Sequence, residues 1–232
     1  MFKHCAPKSD DTLLAQFLLS NGFTGTVNQP NEKGIMPLHA ALLLSNSGNP
    51  QGLTLVQELL KQGANPLLES TDHLKINSTG LAAAHGLSAE FQDIITKCPA
   101  AATALSGAGN KFSPLAFAIL NFKNHPEKSA VFFNIFKHLV PDLNVNLPNQ
   151  DMPPLIFAVI NDQVEALKYF IDAGALLTVG PNAGWNIAHW AAAFGCFKSF
   201  AAICELKPEL AVSFTGNDNQ WNPLTTLLFM QS

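Results

Sequence analysis

Seven histidines and four cysteines are the residues of this 232-residue chain best suited to chemistry. Imidazole moves protons near neutral pH, and imidazole with thiolate binds zinc. His189, Cys196 and Cys204 have the composition of a metal site. Their spacings of seven and eight residues, spread over two packed helices, do not converge on a tetrahedron. Burial as small hydrophobes accounts for these thiols. His4 and Cys5 adjoin near the N-terminus without a third ligand in register. The SGAGNK stretch (106–111) has glycines and a lysine but lacks the GxxxxGK[ST] spacing of a phosphate loop. Asn77-Ser78-Thr79 matches a glycosylation sequon inside a turn, as chance allows. Asp10-Asp11 suits a helix N-terminus. Catalysis needs two such groups in reach of each other within one pocket. With no GxSxG, no HExxH and no paired carboxylates on one helix face, the sequence predicts no enzyme, no cofactor and no metal.

Composition narrows the classes further. Hydrophobic residues make up 47%, near the globular norm, but charged residues only 13%, against about 25% on average. Mean hydropathy is +0.15, so the surface is poor in charge. All 13 basic residues are lysine and the net charge is −4, which argues against a nucleic-acid partner. No apolar run reaches 18 residues, so no membrane span is expected. The first residues lack the apolar core of a secretory signal, and the cysteines show no CxxC. A reducing, cytoplasmic location is the expectation.

The elements that would position any site come from an internal repeat. GIMPLHAAL (34–42), KFSPLAFAI (111–119), DMPPLIFAV (151–159), GWNIAHWAA (184–192) and QWNPLTTLL (220–228) align, with KINSTGLAA (75–83) a weaker copy. Their anchors are Leu38, Thr79, Leu115, Leu155, Ala188 and Leu224, spaced by 41, 36, 40, 33 and 36 residues. Three residues on stand Ala41, Ala82, Ala118, Ala158 and Ala191, small enough for close helix packing, and then Leu227. The unit from Asp151 to Gly184 predicts a short helix opened by proline, then VEALKYFIDAG as a second helix capped by Gly174, then a polar hairpin.

Pro37-Leu38-His39-Ala40-Ala41, Gly63-Ala64-Asn65, Val145-Asn146, Gly174-Ala175 and Ala188-His189-Trp190-Ala191-Ala192 with Gly195 resemble the ankyrin repeat. The resemblance implies an all-α fold, an ankyrin-like helical repeat solenoid with short hairpin fingers. About five full repeats are expected in a single domain: 34–74, 75–110, 111–150, 151–183 and 184–219. A half repeat (11–33) precedes them, and a truncated one (220–232) follows. Insertions lengthen the inter-helix segments at 45–52 and 121–129. CPAAATALSG (98–107) and KPELAVSFTG (207–216) match each other at an offset of 109 residues. In such repeats His39 and His189 are expected to bond within the repeat turn.

The same resemblance implies that a partner is held by the hairpins and the inner face of the first helices. One row, three residues before each anchor, is Ile35, Ile76, Phe112, Met152, Trp185 and Trp221. A second row along the inner helices includes Leu44, His85, Asn121, Asn161 and Phe194. Two roles are open to the first row: packing of adjacent hairpins on each other, or contact with a partner. Tryptophan, enriched in interface hot spots, favours contact.

The expected function is therefore protein–protein interaction. Twenty asparagines, low charge and no arginine make the chain similar to ankyrin-type effectors of intracellular bacteria, which act on host proteins in the host cytosol. The alternative is a target-recruiting part of a longer enzyme whose catalytic region lies beyond residue 232. Leu227, Leu228, Phe229 and Met230 make a poor polar cap. Either continuation of the chain or self-association through that end is expected.

Overall fold

Proline at the first helical position sets φ where the missing N–H costs nothing, and it opens four of the short apolar helices. A computed structural model describes residues 9–23, 25–109, 112–122, 133, 153–178, 184–214 and 222–229. Among these residues stand eleven α-helices and no strand. Met152, Trp221, the side chain of Asn121, His4, Cys5, Val145-Asn146 and residues 123–129 of the 121–129 insertion lie outside the described residues. The chain divides into two compact units, 1–114 and 115–232.

The first unit holds α1 (Ser9–Ser20), α2 (Pro37–Asn46), α3 (Gln51–Lys61), α4 (Ser78–His85) and α5 (Ser88–Lys97), then a 3-10 turn at Pro99–Ala102. Two kinds of helix alternate. The apolar first helices α2 and α4 pack on each other, and the amphipathic second helices α3 and α5 pack on each other, with α1 against α3. Leu38, Ala41 and Leu42 of α2 are fully buried, as are Leu55, Val56 and Leu59 of α3. Gly52 lets α3 approach α2, because a Cβ there would lie 2.4 Å from the Ser45 Cα. Glu90, buried at the start of α5, accepts a hydrogen bond from the Ser45 hydroxyl, so its carboxylate is not orphaned.

Three hairpin segments are stitched side by side by backbone bonds. The Thr71 amide donates to the Gly34 carbonyl at 2.8 Å, and the Gly107 amide to the Lys75 carbonyl at 2.8 Å. Gly34 is required twice over. Its φ is +77°, and a Cβ would lie 2.7 Å from the Asp72 amide nitrogen.

The second unit holds α6 (Pro114–Phe122) from its second residue on, then α7 (Pro154–Ile160), α8 (Val164–Asp172), α9 (Ile187–Ala193), α10 (Phe197–Leu206) and α11 (Pro223–Phe229), with a 3-10 turn at Pro208–Leu210. First helix α9 packs between α7 and α11, and second helix α10 lies against α8. The Gln163 side-chain amide donates to the Ile119 carbonyl, and the Ser199 amide donates to Asp162 at 2.7 Å. Side chains near the repeat turns thus hold neighbouring repeats in register.

The 109-residue offset extends well beyond the segment that shows it in sequence. Helices α5 and α10 coincide at that offset, as do the starts of the 3-10 turns at Pro99 and Pro208 and of α6 and α11. The isolated bridges Glu69–Asn77 and Thr178–Asn186 also correspond. Asn77 and Asn186 each cap the following helix and reach with Nδ2 to the segment after the second helix, at Ala104 (3.4 Å) and Leu210 (3.0 Å). Lengthening after the second helix therefore has a structural use. It supplies the carbonyl that an N-cap asparagine needs.

Candidate functional site

The first helices owe their local form to what caps them. Asn186 Oδ1 accepts from the Ala188 and His189 amides at 2.8 and 3.2 Å, and His189 Nδ1 accepts from the Asn186 amide at 3.2 Å. This reciprocal box satisfies donors that a helix start leaves open. Thr225 takes the place of histidine on α11, its hydroxyl accepting from the Asn222 amide at 3.2 Å. His39 departs from the expected turn bond. Met36 caps α2 without a side-chain acceptor, and neither nitrogen of the buried His39 ring has a partner of hydrogen-bonding geometry. Burial pushes its pKa down to about 4, although the Asp72 carboxylate and the nearby Asn77 backbone oppose that shift. Both histidines are structural in their setting, and neither reaches an open surface.

The thiols are no better placed for chemistry. Cys196 Sγ lies 3.4 Å from the Ile160 carbonyl and donates to it. Desolvation, with Glu205 beside it, pushes the Cys204 thiol upward, away from the reactive thiolate. Among the described residues no group of three His, Cys, Asp or Glu side chains could hold a metal ion. No described helix is long and apolar enough to cross a membrane.

Two surfaces remain. On the first unit, a groove of about 1090 Å³ runs between α1 and α2. Leu13, Gln16, Phe17 and Ser20 line it from α1, and Ala40, Leu43 and Leu44 of α2 with its C-cap Ser47 from the other side. Each set follows the i, i+3, i+4, i+7 spacing of one helix face. Ile35 and the 31–33 turn close one end. Glu32 and Lys33 are the charged residues of the lining.

On the second unit, aromatic rings form a connected set along α9. Trp185 meets Trp190 edge-on with centroids 5.2 Å apart, and Trp190 stacks on Phe194 at 6.0 Å. Trp185 also stacks on the His189 ring at 5.9 Å. Trp190 is buried, Trp185 half-buried, and Phe194 is 55% exposed, with Phe197 exposed beside it. A rigid buried ring thus supports exposed ones, an arrangement suited to an interface anchor.

The two sequence rows divide accordingly. Ile35 and Leu44 share the groove, and Trp185 and Phe194 share the aromatic set. Ile76 is 8% exposed, covered in the middle hairpin of three, and offers almost no surface. Phe112 and His85 are half-buried. The Asn161 amide is engaged with the Phe157 carbonyl at 2.9 Å. Leu43, beside Leu44 in the second row, also lines the groove, and two residues missing from the rows matter: Phe17 and Trp190. Phe17 could be found only by asking which helix lies beside α2.

Residues 128–225 match the family model for ankyrin repeats (3 copies). The fold resembles the crystal structure of the ankyrin repeat domain of Bcl-3, titled a unique member of the IkappaB protein family. That match has a TM-score of 0.66 and 16% sequence identity, and it covers 97% of this chain and 94% of the other. No curated protein matches the sequence. The structural likeness carries the fold.

Proposed function

We propose that this chain, whose fold resembles an ankyrin repeat domain and whose residues 128–225 match ankyrin repeats, a module generally built for protein–protein interaction, holds a partner protein on the aromatic surface of α9. The observation that carries this reading is Phe194, exposed yet braced by the buried Trp190 ring. Partly buried Trp185 extends the same surface along the hairpin side, where the resemblance places contacts. Affinity would rest on these few rings and not on contact area. The unplaced row members Met152, Trp221 and Asn121 belong to this reading as further contacts.

Affinity capture with the whole chain, compared protein by protein with a Trp185→Ala/Phe194→Ala variant, tests the reading. A partner lost by a variant of unchanged thermal stability supports it. Equal loss of folding and capture refutes it. An effector acting on host proteins in a host cytosol is the source-level form of this reading, supported by the twenty asparagines, low charge and absence of arginine. A second reading, recruitment of a target to catalysis encoded beyond residue 232, is favoured by the exposed leucines of α11. Self-association through α11 is favoured by the same observation.

A further inference from the structure

Helix α1 ends in a tight polar turn whose residues carry a latent reaction. Among the twenty asparagines of the chain, Asn21 alone is followed by glycine. Glycine places no side chain beside its own amide nitrogen, so that nitrogen can reach the Asn21 side-chain carbonyl carbon. Both residues are exposed.

The folded turn keeps the reacting groups engaged elsewhere. Gly22 has φ +72°, and its amide donates to the Leu19 carbonyl at 3.1 Å while the Phe23 amide donates to the Leu18 carbonyl at 2.9 Å. This pair of bonds is the left-handed glycine closure of a helix. The Asn21 side chain is held too, its Nδ2 donating to the Phe17 carbonyl at 2.9 Å. The Asn21 carbonyl in turn accepts from Asn31 Nδ2 at 3.0 Å, and Asn31 Oδ1 accepts from the Lys33 and Ile35 amides at 3.1 Å each. Asn21 thus joins the end of α1 to the first hairpin, whose Gly34 carbonyl is bonded to Thr71.

We propose that Asn21-Gly22 is a spontaneous deamidation site, and that its reaction is a one-way switch uncoupling α1 from the first hairpin. Exposed helix ends open locally at little cost, and opening frees the Gly22 nitrogen and the Asn21 amide together. The nitrogen, giving up its proton, attacks Cγ. The Cγ–Nδ2 bond breaks, and Nδ2 leaves as ammonia. Water then adds to either carbonyl of the succinimide and opens it to aspartate or to isoaspartate. Both products close the turn less well. Aspartate has no N–H for the Phe17 carbonyl, and it sets a negative charge at a helix C-terminus with no basic residue in its last turn. Isoaspartate adds a methylene to the backbone and so displaces the carbonyl that Asn31 holds. Phe17, buried with its ring centroid 6.4 Å from that of Phe23, lies on the turn that loosens.

Ageing the whole chain in mildly alkaline buffer, with and without guanidinium chloride, tests this when each sample is digested and read by mass spectrometry and an isoaspartate assay. The peptide containing Asn21 is expected to gain about 1 Da before any other, as amide becomes acid. The gain should be several-fold faster in guanidinium, where the bonds to Leu19 and Phe17 are absent. In guanidinium Gly22→Ala should slow it several-fold, a comparison that does not depend on the variant folding. Aged wild type and fresh Asn21→Asp should both melt below fresh wild type. A native chain that stays unmodified at Asn21, or that reacts first at another asparagine, overturns the site. So does a Gly22→Ala chain that reacts as fast as wild type. Equal rates with and without guanidinium, or aged protein that melts as fresh protein does, overturn the switch.

Discussion

Asn28 holds the backbone of the following repeat turn at Asn65: its Oδ1 accepts from the Asn65 amide at 2.7 Å while its Nδ2 donates to the Gly63 carbonyl at 3.0 Å. The two bonds satisfy groups that the end of α3 leaves open, and they tie the half repeat to the first full one. Asn28→Ala should lower stability by about 1–2 kcal/mol, the net worth of two such bonds. Asn28→Asp keeps the acceptor and loses the donor, so urea denaturation should place it between Ala and wild type.

His39 makes stability depend on pH. Its folded pKa is about 4 and its ordinary value 6.5, so between these limits the unfolded chain binds a proton that the folded chain refuses. Stability contributed by the neutral ring is whole above pH 6.5 and declines as pH falls toward 4, by on the order of 3 kcal/mol. Below pH 4 this loss levels off. A His39→Leu variant should lack that part of the slope. The check is urea denaturation of both proteins at several pH values, and equal slopes would show that His39 keeps its ordinary pKa.

Gly34 and Gly48 separate strain from crowding. Both have positive φ, +77° and +82°, but a Cβ at Gly48 meets nothing within 4 Å whereas one at Gly34 collides with Thr71 and Asp72. Gly48→Ala should cost about 1–2 kcal/mol, the price of a left-handed conformation alone. Gly34→Ala should cost distinctly more, because the hairpin bond from Thr71 must also give way. Thermal melts of the two variants read the difference directly.

The sequence made the repeat register readable because each anchor is tied to a small residue three positions on. Ala41, Ala82, Ala118, Ala158 and Ala191 are all fully buried. The bonding of His189 was readable for the same reason. That of His39 was not: Met36, two residues before the anchor, has no side-chain acceptor to build its half of a reciprocal box, and neither His39 ring nitrogen has a partner of hydrogen-bonding geometry. Ile35 and Ile76 occupy one register position but differ in exposure. Ile76 lies in a hairpin stitched on both sides, while Ile35 lies in the first of the stitched three. Sequence gives a position within a repeat. Its surroundings depend on which neighbouring segments pack against it.

Trp190 and Phe194 give the sharpest test of the proposed interface, because they touch each other yet differ in burial. Their rings stack at 6.0 Å, but Trp190 is buried in the unit while Phe194 is 55% exposed. Trp190→Ala removes a large core ring and should cost about 3–5 kcal/mol of stability, with binding lost as a consequence of unfolding. Phe194→Ala removes a ring that solvent already reaches, so the melting temperature should hardly move. If the aromatic surface anchors a partner, Phe194→Ala should still weaken binding by roughly tenfold or more, since truncating a hot-spot ring typically costs at least about 2 kcal/mol. Titration calorimetry with a captured partner, beside a thermal melt, measures both quantities. Undiminished binding by Phe194→Ala would exclude α9 as the contact surface, however the chain uses its remaining hairpins.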